Sequence, residues 1–269
     1  MNRNRLMSVC LVAVASLAVH AALAQAPAAA PAVAPAAAPP QNFDAVQITV
    51  HKVAGNVYYL EGQGGNVGIL VGDDGVLMID DQFAPLTPKL MAAIKTLSTK
   101  AIRLLVNTHV HGDHTGGNEN VGKMGISILA HDNVRVRLAK GVNGGAPAPA
   151  AALPVITYAD NMSLHLDGED IEIGKFPPAH TDGDTYIRFP KADVIHVGDV
   201  FRTVGYPGVD GNNGGTVKGT IAALDMIIAM AGPNTKIIPG HGIVSTRDDI
   251  VAFRANTVEA RRRFTELIR

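Results

Sequence analysis

From Val46 to Asp80 the chain alternates short apolar, β-branched runs with glycine-rich breaks. Ile48-Thr49-Val50, Val57-Tyr58-Tyr59-Leu60, Val67-Gly68-Ile69-Leu70-Val71 and Val76-Leu77-Met78-Ile79-Asp80 read as four strands of a meander. Gly55-Asn56, Gly62 to Asn66 and Gly72-Asp73-Asp74-Gly75 supply the turns. The period then lengthens. Leu90, Ile94 and Leu97 share one face of a predicted helix over Thr87 to Leu97, and a strand over Ile102 to Val106 follows. The second half repeats this order. Ser127 to Ala130, Ile156 to Tyr158, Ser163 to Leu166, Ile171 to Phe176, Thr185 to Phe189 and Val194 to Val197 read as strands. Ile221, Leu224, Ile227 and Ile228 mark a helix over Thr216 to Ala231; a last strand (Lys236 to Pro239) and a last helix (Arg247 to Ile268) close the chain. Two halves of this kind pack naturally as sheet on sheet with the helices outside. The Gly-, Ala- and Pro-rich stretch Gly141 to Pro154 reads as a mobile loop.

The first residues depart from this pattern. Arg3 and Arg5 precede an apolar core from Leu11 to Leu23, and Ala22-Leu23-Ala24 has the small-x-small form of a cleavage site, so residues 1–24 read as a secretory signal. A single membrane anchor is the alternative, but the apolar stretch is short for a span of ~20 residues. Residues 25–41 are almost entirely Ala and Pro and read as an extended linker. Residues 42–269 remain as one domain with a full core. The only cysteine, Cys10, lies in the signal, so the mature chain carries no thiol, which suits a periplasmic or secreted protein. A formal net charge of -1 gives no electrostatic reason to expect nucleic acid or an anionic membrane as partner; a small-molecule substrate fits better.

The chemistry is concentrated directly after the strand Ile102 to Val106. His109, His111, Asp113 and His114 fall within six residues. Imidazole nitrogens and carboxylates are the usual ligands of a borderline-soft divalent ion, zinc above all. His109 and His111 are spaced i, i+2 and face one side of an extended segment. Gly112 permits a tight turn, after which Asp113 and His114 face a second point nearby. Two ligand pairs on one loop suit two ions better than one. His180, Asp199 and His241 each follow or flank a predicted strand end and are the further ligand candidates. His51, His131, His165 and His196 read as surface or hydrogen-bonded core histidines. Thr108, Asp182 and Asp184 are candidates to orient the ligands, by sequence proximity alone.

The His-x-His-x-Asp-His motif at His109 to His114, His180-Thr181-Asp182-Gly183-Asp184-Thr185, Gly198-Asp199 and Pro239-Gly240-His241-Gly242 together resemble the metallo-β-lactamase superfamily. The resemblance implies an α+β fold, a four-layer αββα sandwich, with the site at one edge of the two sheets. It implies one Zn(2+) on His109, His111 and His180, a second on Asp113, His114 and His241, and Asp199 shared between them. Iron or manganese is compatible with the same donors. It also implies a metal-dependent hydrolase, in which zinc acidifies water to a pKa of roughly 7 and polarises a carbonyl, while Asp113 orients the nucleophile and passes its proton on. The commonest lactamases carry Cys where this chain has Asp199; Asp there resembles the glyoxalase II and lactonase members. His111 stands where di-iron oxygen-reducing members have Glu, which argues against that chemistry. Arg202, three residues after Asp199, is a candidate to hold a substrate carboxylate as a lactamase cation does, the alternative being a solvated loop arginine. β-Lactam or related cyclic amide hydrolysis is therefore the first expectation. A thioesterase or lactonase is the second, and a non-catalytic periplasmic metal-binding module the third. The turn Gly62 to Asn66 and the loop Gly205 to Gly215 are expected to shape the pocket.

Overall fold

The computed structural model describes residues 41–268. The expected signal segment and all but the last residue of the expected linker lie outside the described residues. Two sheets carry the fold. The first has seven strands in chain order: β1 (Thr49–Ala54), β2 (Val57–Glu61), β3 (Val67–Val71), β4 (Val76–Ile79), β5 (Ile102–Val106), β6 (Ser127–His131) and β7 (Ile156–Tyr158). It is antiparallel through β4 and parallel from there on. The second sheet has five strands: β8 (Asn161–Leu166), β9 (Glu169–Lys175), β10 (Thr185–Phe189), β11 (Val194–His196) and β12 (Lys236–Ile238). These neighbour one another in that order, antiparallel except for the parallel pair β11 and β12.

The two-residue period of the strands sorts their side chains into layers. Leu77 and Ile79 of β4 point between the sheets, in one cluster with Val57, Leu70 and Val106 of the first sheet and Ile171, Ile173, Ile187 and Phe189 of the second. Val76 and Met78 of the same strand point outward onto Leu90 and Ile94 of helix α1 (Thr87–Leu97). On the far side, Ile195, Val197 and Ile237 pack against Leu224 and Ile227 of a helix at Val217–Met230 and Ile250 of another at Arg247–Leu267. The result is the four-layer αββα arrangement. Thr216 starts the first of these helices by accepting a bond from the Gly219 amide, and Thr246 starts the second through a reciprocal capping box with Asp249.

Three shorter helices depart from the expected pattern: α2 (Gly112–Thr115), α3 (Asn118–Lys123) and α4 (Asp132–Lys140). α4 buries only Val134 and Leu138, one helical turn apart, while its third valine, Val136, is exposed, so the stripe is too short to read from periodicity. The two long helices at Val217–Met230 and Arg247–Leu267 are therefore α5 and α6. The mobile loop expected over Gly141 to Pro154 is instead tied down. Ala152 is buried and its carbonyl accepts from Asn118 Nδ2, while Asn143 Oδ1 accepts from Asn213 Nδ2. Composition alone gave no sign of these partners. Among the described residues, no helix is long and apolar enough to cross a membrane.

Candidate metal centre

Parallel pairing brings functional loops to one edge. β4 and β5 run parallel, so the segments after them, beginning at Asp80 and Asn107, emerge on the same side. β11 and β12 do likewise for Asp199 and His241. The turn between β9 and β10 adds His180, and the two sheets are laced here by bonds from the Thr185 amide to the Thr108 carbonyl (2.9 Å) and from the Asn66 amide to the Gly240 carbonyl (2.7 Å). All seven candidate ligands meet at this edge. Their donor atoms form three overlapping triads: His109 with His111 and His180, His109 with His114 and Asp199, and Asp113 with His114 and His241, each within 4.8 Å of one another.

The hydrogen bonds behind the rings settle which nitrogen faces inward. His114 Nδ1 donates to Asp80 Oδ2 at 2.8 Å, leaving Nε2 for the site. Thr108 Oγ1 donates to the same carboxylate oxygen at 2.7 Å and so accepts from His109 Nδ1 at 3.0 Å, leaving His109 Nε2. His111 Nε2 donates to Asp210 Oδ2 at 2.8 Å, and His180 Nδ1 to the Gly208 carbonyl at 2.9 Å. The inward atoms of this last pair, His111 Nδ1 and His180 Nε2, are then two lone pairs 2.8 Å apart. His109 Nε2 and Asp199 Oδ1 are buried without a hydrogen-bond partner. Asp199 Oδ1 also lies 3.2 Å from His114 Nε2 and 3.3 Å from His241 Nε2. Converging lone pairs and orphaned buried acceptors are costly unless a cation lies among them. The donor set therefore fits divalent metal.

The same groups set one another's charge. Burial, with His114 and His180 beside it, holds the His109 ring neutral, its pKa well below the usual value; burial likewise lowers His180. At His114 burial opposes charge, but Asp199 and Asp80 outweigh it and its pKa is raised well above the usual range. Burial would raise Asp199, yet His114 and His241 hold it well below the carboxylate range. Burial also works against charge at Asp113, but the bond from His241 and the charge of His114 bring its pKa to about 2. His241 is raised by Asp113 and Asp199 against its own burial.

Close packing needs glycine at two points. A Cβ at position 65 would lie 2.2 Å from Cε1 of His114, and one at position 240 would lie 1.9 Å from Asp199 Oδ1. The turn Gly62 to Asn66 thus reaches the site. Asn66 Nδ2 donates to the carbonyls of Pro239 and Gly242, both at 2.9 Å, and so holds the loop that carries His241. Of the residues proposed to orient ligands, Thr108 touches a ligand ring. Asp184 binds the Thr181 amide and hydroxyl, and Asp182 pairs with Arg137; neither touches a ligand ring. The sequence placed Asn66, Gly208 and Asp210 only in segments expected to shape the pocket and gave Asp80 no role beyond a strand end; their bonds to the ligands and ligand loops come from the fold. Asp80 directly follows β4 beside the metal loop, has φ 61 and is fully buried. Arg202 NH2 donates to Asp199 Oδ2 at 3.0 Å, so its guanidinium is engaged by a ligand carboxylate. The four remaining histidines of the domain belong to none of the ligand triads: His51 bonds Glu61, His165 Asp170 and His131 the Ala159 carbonyl, while His196, buried beneath the site, bonds the Asn66 carbonyl.

Residues 60–241 match the family model described as metallo-beta-lactamase superfamily. Among curated proteins, the chain is 30% identical over 158 residues to a hydroxyacylglutathione hydrolase of Polaromonas sp. (strain JS666 / ATCC BAA-500), covering 56% of this chain and 54% of that one. It is 24% identical over 159 residues to the 2,4-dinitroanisole O-demethylase subunit alpha of Nocardioides sp. (strain JS1661), covering 58% and 47%. The chain thus spans about half the length of the curated relatives it matches. Among solved structures, DIM-1 metallo-beta-lactamase superposes with a TM-score of 0.67 at 18% identity, covering 80% of this chain and 99% of that one. A metallo-beta-lactamase from Pontibacter korlensis gives 0.66 at 19% identity, covering 78% and 100%. At such identity these two show the fold, while the family match takes in the strand-end motifs from His109 to His241: the chain belongs to the metallo-beta-lactamase superfamily.

Proposed function

We propose that the protein is a metal-dependent hydrolase that attacks a carbonyl carbon, holding two divalent ions, zinc by donor chemistry, on the seven residues above. The observation that carries this reading is the convergence on one edge of the orphaned His109 Nε2 and the paired lone pairs of His111 and His180, with the Asp199 carboxylate beside them. His109, His111 and His180 would hold one ion, Asp113, His114 and His241 the other, with Asp199 between them. When bound, such ions supply Lewis acidity and water acidified to a pKa of roughly 7. The protein's own part is then clear. Asp80, Thr108, Asp210 and the Gly208 carbonyl fix the ring tautomers; Asp113, ionised at neutral pH and partly exposed, orients the attacking water. No cysteine or serine nucleophile is needed.

For the substrate, Asp199 and its bond from Arg202 favour a thioester or lactone over a β-lactam. One nitrogen of Arg202 is committed to a ligand carboxylate, which leaves the guanidinium only in part for a substrate carboxylate. The curated relatives named hydroxyacylglutathione hydrolase support the same side, since an acylglutathione is a thioester. Cyclic amides, supported by the general resemblance to lactamases, form the second reading. The test is turnover of an S-acyl thioester, a lactone and nitrocefin by apo-protein and by protein loaded with zinc, iron or manganese. Metal-dependent thioester or lactone hydrolysis is expected. Nitrocefin turnover alone would transfer the assignment to cyclic amides, and no metal-dependent turnover on any of them would overturn the hydrolase reading. We also propose export with cleavage after Ala24; the mass of the mature chain, recovered from a periplasmic fraction, checks it.

A further inference from the structure

The two halves of the metal centre are held by different parts of the fold. His114 and His109 are oriented by Asp80 and Thr108, both fully or almost fully buried at the ends of core strands. His111 and His180 are oriented from outside the strands, by Asp210 and the Gly208 carbonyl, on the single loop that follows Asp199. That loop is itself braced. Asp210 Oδ1 accepts from the amides of Asn212 (3.0 Å) and Asn213 (3.1 Å), and its Oδ2 from Asn213 Nδ2 (2.6 Å) as well as His111. The Asp210 amide donates to the His180 carbonyl at 2.9 Å. α4 splints it from the side: Arg137 grips Asp182 through Nε (2.7 Å) and NH2 (2.6 Å) and reaches Asn213 Oδ1 at 3.2 Å. The Asp182 amide in turn donates to the Asn213 carbonyl at 2.9 Å.

We infer that Asp210 is a positioning residue for His111, and that through it the loop Arg202 to Gly215 controls occupancy of the His109–His111–His180 position selectively, leaving the Asp113–His114–His241 position to the strand-anchored shell. The assignment rests on the metal-centre reading above but not on any choice of substrate. A carboxylate behind an imidazole fixes its tautomer and raises the basicity of the inner nitrogen, and losing it typically weakens metal binding 10- to 100-fold. The geometry offers a clean perturbation. In Asp210→Asn the Oδ1 acceptor can stay on the two backbone amides, so the loop keeps its turn. The new Nδ2 then faces two other donors, His111 Nε2 and Asn213 Nδ2, and the support for His111 is lost.

The experiment is stepwise zinc titration of apo-protein against a chromophoric chelator, with apo-protein melting measured alongside. Asp210→Asn is expected to weaken one of two binding steps by roughly 10- to 100-fold while the other step and the apo melting temperature stay as in the wild type. A His241→Ala background identifies the step, because there Asp210→Asn must weaken the ion that remains. Unchanged affinity in both steps, equal weakening of both, or an unaffected remaining ion in the His241→Ala background each overturns the assignment. A wild-type chain that takes up no zinc overturns the metal-centre reading itself, and this assignment with it, so the two failures are distinguishable.

Discussion

Asp80→Asn is the sharpest test of how the core holds the metal site. Asp80 is fully buried and accepts three hydrogen bonds: Thr108 N (2.7 Å), Thr108 Oγ1 (2.7 Å) and His114 Nδ1 (2.8 Å). Its φ of 61 is one that Asn tolerates nearly as well as Asp, so the backbone is not strained by the change. The remaining oxygen can stay on the Thr108 amide. The new amide group then faces the Thr108 hydroxyl and the His114 ring. The hydroxyl can rotate and accept from it. The ring has two choices. It can keep Nδ1–H against a donor, and a buried unpaired donor costs about 1–3 kcal/mol. Or it can move the proton to Nε2, which restores the bond to Asp80→Asn but removes the inward lone pair from the metal. Either way, metal affinity at the Asp113–His114–His241 position falls about 10- to 100-fold, equivalent to about 1.4–2.7 kcal/mol. The carboxylate charge that helps raise the His114 pKa is lost as well. The assay is chelator-competition titration together with urea unfolding of apo and loaded protein. Wild-type affinity for both ions, with unchanged apo stability, would refute the claim that Asp80 sets the His114 tautomer.

Loading the apo-protein with zinc is expected to release protons, because ligand nitrogens must be free and Asp199, Asp80 and Asp113 raise the pKa values of His114 and His241; pH-stat or calorimetry in buffers of different ionisation enthalpy reads the number. In the apo-protein those raised histidine values add stability that is fully present below about pH 6.5 and is lost as pH rises through their folded values, whereas the lowered Asp113 adds stability present above about pH 4 and lost as pH falls towards about 2; denaturant midpoints across pH 2–9 check both arms. Gly65→Ala puts a methyl 2.2 Å from His114 Cε1, so the ring or the turn must shift, and loss of the ion on His114 is expected with the sheet core intact by circular dichroism. Arg202→Ala is expected to lower kcat/KM mainly through kcat, since its partner is Asp199; a rise in KM alone would show instead that Arg202 binds substrate.

Much of the fold was legible because strand and helix periods report burial directly. The predicted helix Thr87 to Leu97 and the strands Ile156 to Tyr158 and Thr185 to Phe189 coincide with the observed elements. α4 was not legible: two buried residues in nine leave almost no periodic signal. The stretch after it looked mobile because alanine, glycine and proline carry no sign of the backbone bonds that tether it.

The sequence by itself determined the layers and the chemical inventory. Alternation within Val76 to Ile79 assigns one face to each side of the sheet, and the clustering of His109, His111, Asp113 and His114 after a strand marks a metal loop. Only the tertiary structure decided how that inventory is divided. His114 meets Asp80 across 34 residues and His111 meets Asp210 across 99, so the tautomers, the inward nitrogens and the engagement of Arg202 by Asp199 depend on which strand ends lie side by side. A hydrogen bond needs its partners within about 3 Å. Residue spacing sets that distance within a turn or a strand, whereas here it is set by the parallel pairing of β4 with β5 and of β11 with β12.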